Sequence, residues 1–219
     1  PTSVNSVIQG AVSTTESDYG SPTRNIAYFP NATGGAAWYA AYGDGGKIIV
    51  EKCASPCSSG SWTVVTSDLD EGTNSDTGAS DDTDNLTPSV WKDSDSLYVT
   101  WVDNSRDAFQ FNSINTTTDA LSGTVCNSGF NGVLTTAIVS ITVDNTGDVY
   151  IAMAEVATGD ERISRFASGT CDESDLTTSS GFDQNDRPEL LALGQNVFLI
   201  FAADNGLRAS VWGDDGSGA

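Results

Sequence analysis

Arginine is scarce in this sequence, and two arginines stand directly before apolar segments. Arg24 precedes "NIAYFP", and Arg187 precedes "PELLAL". Guanidinium groups bind carboxylates through paired hydrogen bonds, so converging arginines could hold an acidic group of a ligand. Ion pairing with the abundant aspartates is the alternative, and the sequence favours it because thirty acids surround nine bases. Arg24 and Arg187 are therefore candidate ligand-binding residues.

An acidic segment, "SDLDEGTNSDTGASDDTDN", runs from position 67 to 85. Its alternating carboxylates predict a calcium site at Asp68, Asp70 and Asp76, because hard cations prefer oxygen ligands. The twelfth position counted from Asp68 is Ala79 rather than glutamate, which excludes an EF-hand. A solvated loop between structural units is the alternative. Paired carboxylates for glycosidase chemistry carry no signal, since among thirty acids some pair will lie at the required separation by chance.

Exposed tryptophans could stack on the rings of a sugar. Trp38 and Trp91 are the candidates for such a role, and packing in the interior is the alternative for both.

Histidine is absent from the sequence. This excludes a zinc site built from cysteine and histidine, and it excludes a catalytic triad that depends on histidine.

Four cysteines permit three disulfide pairings. Cys53 and Cys57 bracket a short turn, "CASPC", which favours a local disulfide and leaves Cys126 to pair with Cys171. A reduced, cytosolic protein is the alternative.

The overall charge and three glycosylation sequons bear on location. Asn31, Asn85 and Asn115 each begin an Asn-x-Ser/Thr triplet, and such triplets also arise by chance in a chain rich in serine and threonine. The formal charge of −21 argues against nucleic acid and against anionic membrane surfaces as partners. It fits either a solubilising extracellular surface or adaptation to high salt. No apolar stretch reaches the length of a membrane-spanning helix, and the first residues do not form a signal peptide, as expected of a processed chain. We expect an extracellular or cell-surface protein.

A repeat is visible when four segments are aligned by an aromatic residue near the start of an apolar run. The anchors are Tyr39, Tyr98, Tyr150 and Phe198, spaced 59, 52 and 48 positions apart. A polar turn and a second alternating run follow each segment, and a further short strand precedes it. This period, with several short strands in each unit, indicates the blades of a β-propeller.

The segment "SLYVTWVD" is apolar on both of its alternating faces. A strand whose sheet is covered on both sides shows this pattern, so the blade model predicts that neighbouring blades cover both faces. The acid that ends the run, Asp103, is expected to serve the turn that follows.

The sequence therefore predicts an all-β fold, a four-bladed propeller forming a single domain over residues 1–219. The blades are expected at about 24–66, 86–136, 137–180 and 186–212. The strand-like segment 3–13 would supply the outer strand of the fourth blade and close the ring, since closure removes exposed sheet edges. Its alternative is pairing with another copy, which would build a polymer.

The segment "IIVEKCASPCSSGSWTVV" resembles a repeat found in secreted bacterial and archaeal proteins, and more broadly the sialidase-like, Asp-box propeller superfamily. The pattern spans nearly the whole chain, although only the first unit has both cysteines and the third keeps "RISRFASGTC". The Asp-box itself is incomplete, because "SSGSW" retains Gly60 and Trp62 but lacks the aspartate. The resemblance implies the fold and little about activity.

These observations favour a non-catalytic extracellular propeller that serves as a surface, filament or binding protein. Its expected partners are other copies of itself or cell-surface glycans. Two alternatives belong to other classes: a sialidase-like carbohydrate-active enzyme and a sugar-binding lectin. Convergence of Arg24 and Arg187 with a tyrosine and an acid in one pocket would favour the enzyme, whereas separate ion pairs would count against it. Calcium is the one cofactor that the sequence suggests.

Overall fold

The computed structural model describes ten stretches of the chain, and all structural statements refer to them. They are residues 24–44, 47–58, 61–69, 84–103, 108–122, 125–128, 138–154, 161–176, 188–203 and 206–212. These stretches contain sixteen β-strands and no α-helix. The prediction of an all-β fold is confirmed.

The strands form four separate antiparallel sheets, each a meander in chain order. The first sheet contains β1 (Ile26–Phe29), β2 (Ala37–Asp44), β3 (Lys47–Ala54) and β4 (Trp62–Thr66). The second contains β5 (Asp84–Asp93), β6 (Ser96–Asp103), β7 (Ala108–Asn115) and β8 (Ala120–Leu121), with β9 (Cys126–Asn127) also paired to β7. The third contains β10 (Ile138–Val143), β11 (Val149–Ala154), β12 (Glu161–Phe166) and β13 (Glu173–Asp175). The fourth contains β14 (Pro188–Leu193), β15 (Asn196–Ala203) and β16 (Gly206–Trp212).

Turn chemistry is clearest between β10 and β11. One carboxylate oxygen of Asp144 accepts hydrogen bonds from the backbone N–H groups of Thr146 and Asp148, at 2.8 and 3.0 Å. Gly147 adopts a φ of 90°, and a β-carbon there would lie 2.6 Å from the hydroxyl oxygen of Ser168. The sequence "DNTGD" thus specifies the turn through an acceptor side chain and a glycine in a left-handed conformation.

Apolar clusters join consecutive sheets as the blades of a β-propeller. The clusters between the first and second, second and third, and third and fourth sheets each combine buried side chains from both partners. Strand β6 contributes to two of them: Val99 and Trp101 face the first sheet, whereas Val102 faces the third. The two-sided apolar pattern of this strand is explained, because a blade lies against each face.

The four aromatic anchors lie on the second strand of their sheets, β2, β6, β11 and β15. Tyr39 lies in the cluster shared with the second sheet, Tyr98 packs against the cluster shared with the third, and Tyr150 lies in the cluster shared with the fourth. These three anchors thus face the next blade in chain order, in agreement with the repeat. The predicted closing strand, 3–13, lies outside the described residues.

Both expected disulfides are present. Cys53 pairs with Cys57 across a separation of four residues, and Cys126 pairs with Cys171 across 45 residues. The first closes a turn beside β3. The second connects β9 of the second sheet to the segment before β13 of the third, so it joins two blades covalently.

Candidate functional site

Arg24, just before β1, brings three of the four sheets together. Its terminal nitrogen donates to the backbone carbonyl of Leu190 at 2.9 Å and lies 3.0 Å from a carboxylate oxygen of Glu189, both on β14. Its guanidinium carbon lies 4.3 Å from the ring centroid of Trp91 on β5, within the distance of a cation–π interaction. One cation thus connects the innermost strands of the first, second and fourth sheets.

A pocket of about 250 Å³ opens between β1 and β5 beside this arginine. Two cations, Arg24 and Lys92, and two aromatic side chains, Tyr28 and Trp91, are part of its lining. Ile26, which is 47% exposed, adds an apolar wall. Aromatic and apolar side chains together with a few charged groups are the usual lining of a small-molecule site.

Two hydrogen bonds connect β5 to β1 and to Arg24 just before it, beside the pocket. The Val90 N–H donates to the carbonyl of Arg24 at 2.6 Å. The Lys92 ammonium donates to the carbonyl of Tyr28 at 2.8 Å and lies 4.9 Å from the ring centroid of Phe29. These contacts follow the two inner strands in the same direction, as expected for the inner strands of adjacent blades.

Glu189 is held in place by the third sheet. The backbone N–H of Leu190 donates to the hydroxyl oxygen of Ser140 at 3.0 Å, and that of Ala192 donates to the hydroxyl oxygen of Thr142, also at 3.0 Å. Both hydroxyl residues lie buried on β10. The position of β14 against β10 therefore sets where Glu189 meets Arg24.

The electrostatics of this pair are governed by partial burial. Burial raises the pKa of Glu189, and the neighbouring Arg24 offsets only part of this rise. Burial also lowers the pKa of Arg24, which the charge of Glu189 and its hydrogen bond partly restore. The site thus contains a carboxyl group that is more easily protonated than an ordinary one, beside a cation that stays charged.

Two of the four predicted ligand-binding residues meet at this site. Arg24 and Trp91 are in contact, and Arg24 also forms an ion pair with Glu189, which is the kind of contact that the sequence favoured for it. Trp38 lies on β2 with its ring centroid 4.9 Å from that of Tyr28, and it is 37% exposed, so it flanks the pocket through Tyr28. Arg187 lies outside the described residues, and its convergence with Arg24 stays a prediction.

Sequence reasoning missed Lys92, Glu189 and Tyr28. Lys92 had one available signal, since the chain contains only three lysines. Glu189 had none among so many acids, because only the packing of β14 against β10 distinguishes it. Tyr28 looked like an ordinary apolar position of a short strand.

The predicted calcium site stays a prediction. Asp68 accepts a hydrogen bond from Lys47 at 3.0 Å, whereas Asp70 and Asp76 lie outside the described residues. Within the described ranges, no three metal-ligating side chains of the His, Cys, Asp and Glu types form a group.

The glycosylation sites also stay predictions. Asn31 and Asn115 are exposed. The side-chain oxygen of Asn115 accepts a hydrogen bond from the backbone of Thr117 at 3.0 Å. Asn85 lies on β5, and its side chain is not among those that the structure describes.

The two disulfides fit a protein of an oxidising compartment, as expected for an extracellular location. Among the described residues, no helix has the length and apolar character needed to cross a membrane.

Comparison with known proteins supports the fold. No family model and no curated protein sequence matches the chain. Among solved structures, an exo-β-1,3-galactanase from Clostridium thermocellum is similar with a TM-score of 0.51 and 12% identity, over 88% of this chain and 46% of that one. Two others have lower scores: an exo-β-1,3-galactanase from Phanerochaete chrysosporium with β-1,3-galactotriose (TM-score 0.49, 11% identity, 87% and 47% covered) and a prolyl endopeptidase (0.48, 12%, 88% and 27%).

The chain spans less than half the length of each of these structures. At such identities the similarity establishes the propeller fold alone. The Asp-box relationship gains no support, because no sequence match accompanies the structural one.

The comparison corrects the main functional prediction. A non-catalytic surface, filament or binding protein was favoured because Asp103 was expected to serve a turn and the arginines were expected to pair with the abundant acids. That prediction is wrong, because the propeller that this chain resembles is that of an exo-β-1,3-galactanase, an enzyme.

Proposed function

We propose that this protein is a carbohydrate-active propeller of the glycoside hydrolase type, whose glycan binds in the pocket between β1 and β5. The observation that carries the proposal is the convergence of Arg24, Trp91 and Glu189 from three different sheets. A site assembled from three blades is held by the whole scaffold, which is what orientation of a substrate demands.

The pocket supplies the surfaces that a sugar requires. The exposed ring of Tyr28 and the half-buried ring of Trp91 offer apolar faces against which C–H groups of a pyranose can pack. Arg24 and Lys92 supply N–H donors for hydroxyl oxygens. The lining can therefore provide both stacking and hydrogen bonding for a glycan.

Glu189 is assigned the role of proton donor to the departing sugar. Glycoside hydrolysis needs a carboxylic acid that stays protonated when it meets the glycosidic oxygen, and partial burial raises the pKa of Glu189 in that direction. Arg24 fixes the carboxyl group in place. The mechanism also needs a second carboxylate, and the proposal assigns no residue to that role.

The proposal is tested by incubating the purified protein with neutral β-linked galactose oligosaccharides and with acidic oligosaccharides, and by measuring reducing ends released. We expect Glu189→Gln to lower kcat/KM by about 10² to 10⁴, the usual contribution of a general acid. Because Glu189 must be protonated, wild-type kcat/KM should fall as the pH rises through its raised pKa.

The matched control is Glu173→Gln. Glu173 lies on β13 of the third sheet and accepts a hydrogen bond from the hydroxyl group of Ser164, so this variant makes the same chemical change at a carboxyl group that does not pair with Arg24. It should keep wild-type activity. Glycan binding without any cleavage, or equal activity of the two variants, would contradict the assignment of Glu189.

The single-domain organisation over 1–219 and the extracellular location remain part of this proposal. Both accord with two disulfides and with blades joined in chain order. Limited proteolysis that releases a stable folded fragment would argue against a single domain.

A further inference from the structure

Lys92 differs from the other two lysines of the chain. Lys47 lies 3.0 Å from a carboxylate oxygen of Asp68, and Lys52 lies 2.9 Å from one of Asp119. Lys92, in contrast, has a backbone carbonyl and an aromatic ring as its partners. Within the described part of the chain, no carboxylate lies within 4.0 Å of its ammonium group.

Among the described residues, the pocket therefore has an excess of positive charge. Arg24 is paired with Glu189 and contributes little net charge, whereas the charge of Lys92 stands without a counter-ion among the described residues. In a chain with thirty acids and nine bases, it is unusual for two cations, Lys92 and Arg24, to line the same pocket. Solubility does not explain it, because the acidic surface already provides that.

The ammonium group is also held in a fixed position. The carbonyl of Tyr28 accepts one of its three N–H donors, and the ring of Phe29, which is 1% exposed, lies beneath it. Two donors remain for a ligand. Because the side chain is already ordered, less side-chain entropy is lost when it binds a charged group.

We propose that the glycan bound in this pocket carries an anionic substituent, a carboxylate or a sulfate, which Lys92 binds while a sugar ring lies on Trp91 or Tyr28. This inference rests on the proposed function and specifies its substrate class. Anionic oxygens form charge-assisted hydrogen bonds with an ammonium group, and these are stronger than bonds to neutral hydroxyl groups.

The test measures binding by isothermal titration calorimetry at about 0.15 M salt, where long-range repulsion from the acidic surface is largely screened. Three trisaccharides serve as probes: neutral β-1,3-galactotriose, trigalacturonic acid and a sulfated galactotriose. We expect at least one anionic probe to bind wild-type protein about five-fold more tightly than the neutral one, as one accessible ion pair allows.

Three variants identify the residue responsible. Lys92→Met removes the charge and keeps the aliphatic stem, so it should abolish the preference for the anionic probe. The neutral probe should weaken less, because it loses only a hydrogen bond to an uncharged hydroxyl group. Lys92→Arg should restore the preference. Lys47→Met makes the same change in overall charge at a residue that pairs with Asp68 and does not line the pocket. It should have no effect on the preference, which separates a local contact from the general field of the molecule.

The outcomes separate this inference from the proposed function. Selective binding of trigalacturonic acid identifies a carboxylate ligand, and selective binding of the sulfated probe identifies a sulfate. Equal binding of neutral and anionic probes, or a preference that survives Lys92→Met, overturns the inference while the glycan site stands. Failure of every probe to bind overturns both.

Discussion

Tyr39 is the centre of a polar network between the first two blades. Its side chain is fully buried, and its hydroxyl group donates to a carboxylate oxygen of Asp119 at 2.5 Å. Lys52 binds the other oxygen of Asp119 at 2.9 Å and also the carbonyl of Thr33 at 2.6 Å. A repeated aromatic position thus has a second task in the first blade, since its polar end reaches a turn of the second.

Burial and the hydrogen bond to Asp119 raise the pKa of Tyr39. Because folded Tyr39 holds its proton more tightly than the unfolded chain does, the free energy of unfolding should decrease as the pH rises above about 10. Tyr39→Phe should lower stability at neutral pH by about 1 to 2 kcal/mol and should reduce that alkaline decrease. Urea unfolding at about pH 8 and about pH 11 measures both effects.

An unchanged alkaline decrease in Tyr39→Phe would show that other groups cause it. Equal stability of the variant at neutral pH would show that the hydroxyl group contributes no net free energy, despite its short bond to Asp119.

At the scale of strands and sheets, the two disulfides have different tasks. The Cys53–Cys57 bridge closes a turn of four residues within one blade, whereas the Cys126–Cys171 bridge closes 45 residues and joins two blades. Chain entropy makes the longer loop more stabilising, because the unfolded chain loses more freedom when its ends are tied.

We expect Cys126→Ala with Cys171→Ala to lower the free energy of unfolding by about 4 kcal/mol, and Cys53→Ala with Cys57→Ala by about 2 kcal/mol. Urea unfolding of both double variants under identical conditions provides the comparison. A smaller loss for the long bridge than for the short one would mean that packing already fixes the second and third blades to each other.

The sheets also explain how the site is assembled. Hydroxyl groups on β10 hold the backbone of β14, and β14 presents Glu189 to Arg24 beside β1. The candidate site is therefore a consequence of how inner strands of several blades meet, and no single strand contains it.

At the scale of the whole molecule, the formal charge of −21 dominates. Like charges repel within the compact state, and salt screens this repulsion over a Debye length of about 10 Å at 0.1 M. We expect the midpoint of thermal unfolding to rise between about 0.05 M and about 1 M sodium chloride, because salt weakens the repulsion among the excess carboxylates.

Sucrose at equal osmolarity is the control, since it is excluded from the protein surface and stabilises the folded state without screening charge. Scanning calorimetry at each concentration measures the midpoint. A midpoint that rises equally with salt and with sucrose, or that does not rise at all, would show that self-repulsion contributes little to stability.

The sequence was a good guide wherever local chemistry repeats. Aromatic anchors at regular spacing, polar turns and a strand apolar on both faces predicted blades, and the structure has four sheets in that order. The short spacing of Cys53 and Cys57 predicted the local disulfide and, by elimination, the longer one. These features are legible because each depends on neighbours along the chain.

By itself, the sequence determined the all-β fold, the blade order and Arg24 as a residue to examine, because strand alternation and turn residues are encoded locally. Only the tertiary structure decided that Arg24 meets Trp91 and Glu189. It also decided that, among the described residues, no carboxylate pairs with Lys92. Those facts depend on contacts between segments up to 166 positions apart. The strength of an ion pair depends on burial and geometry, which no count of charges along a chain contains.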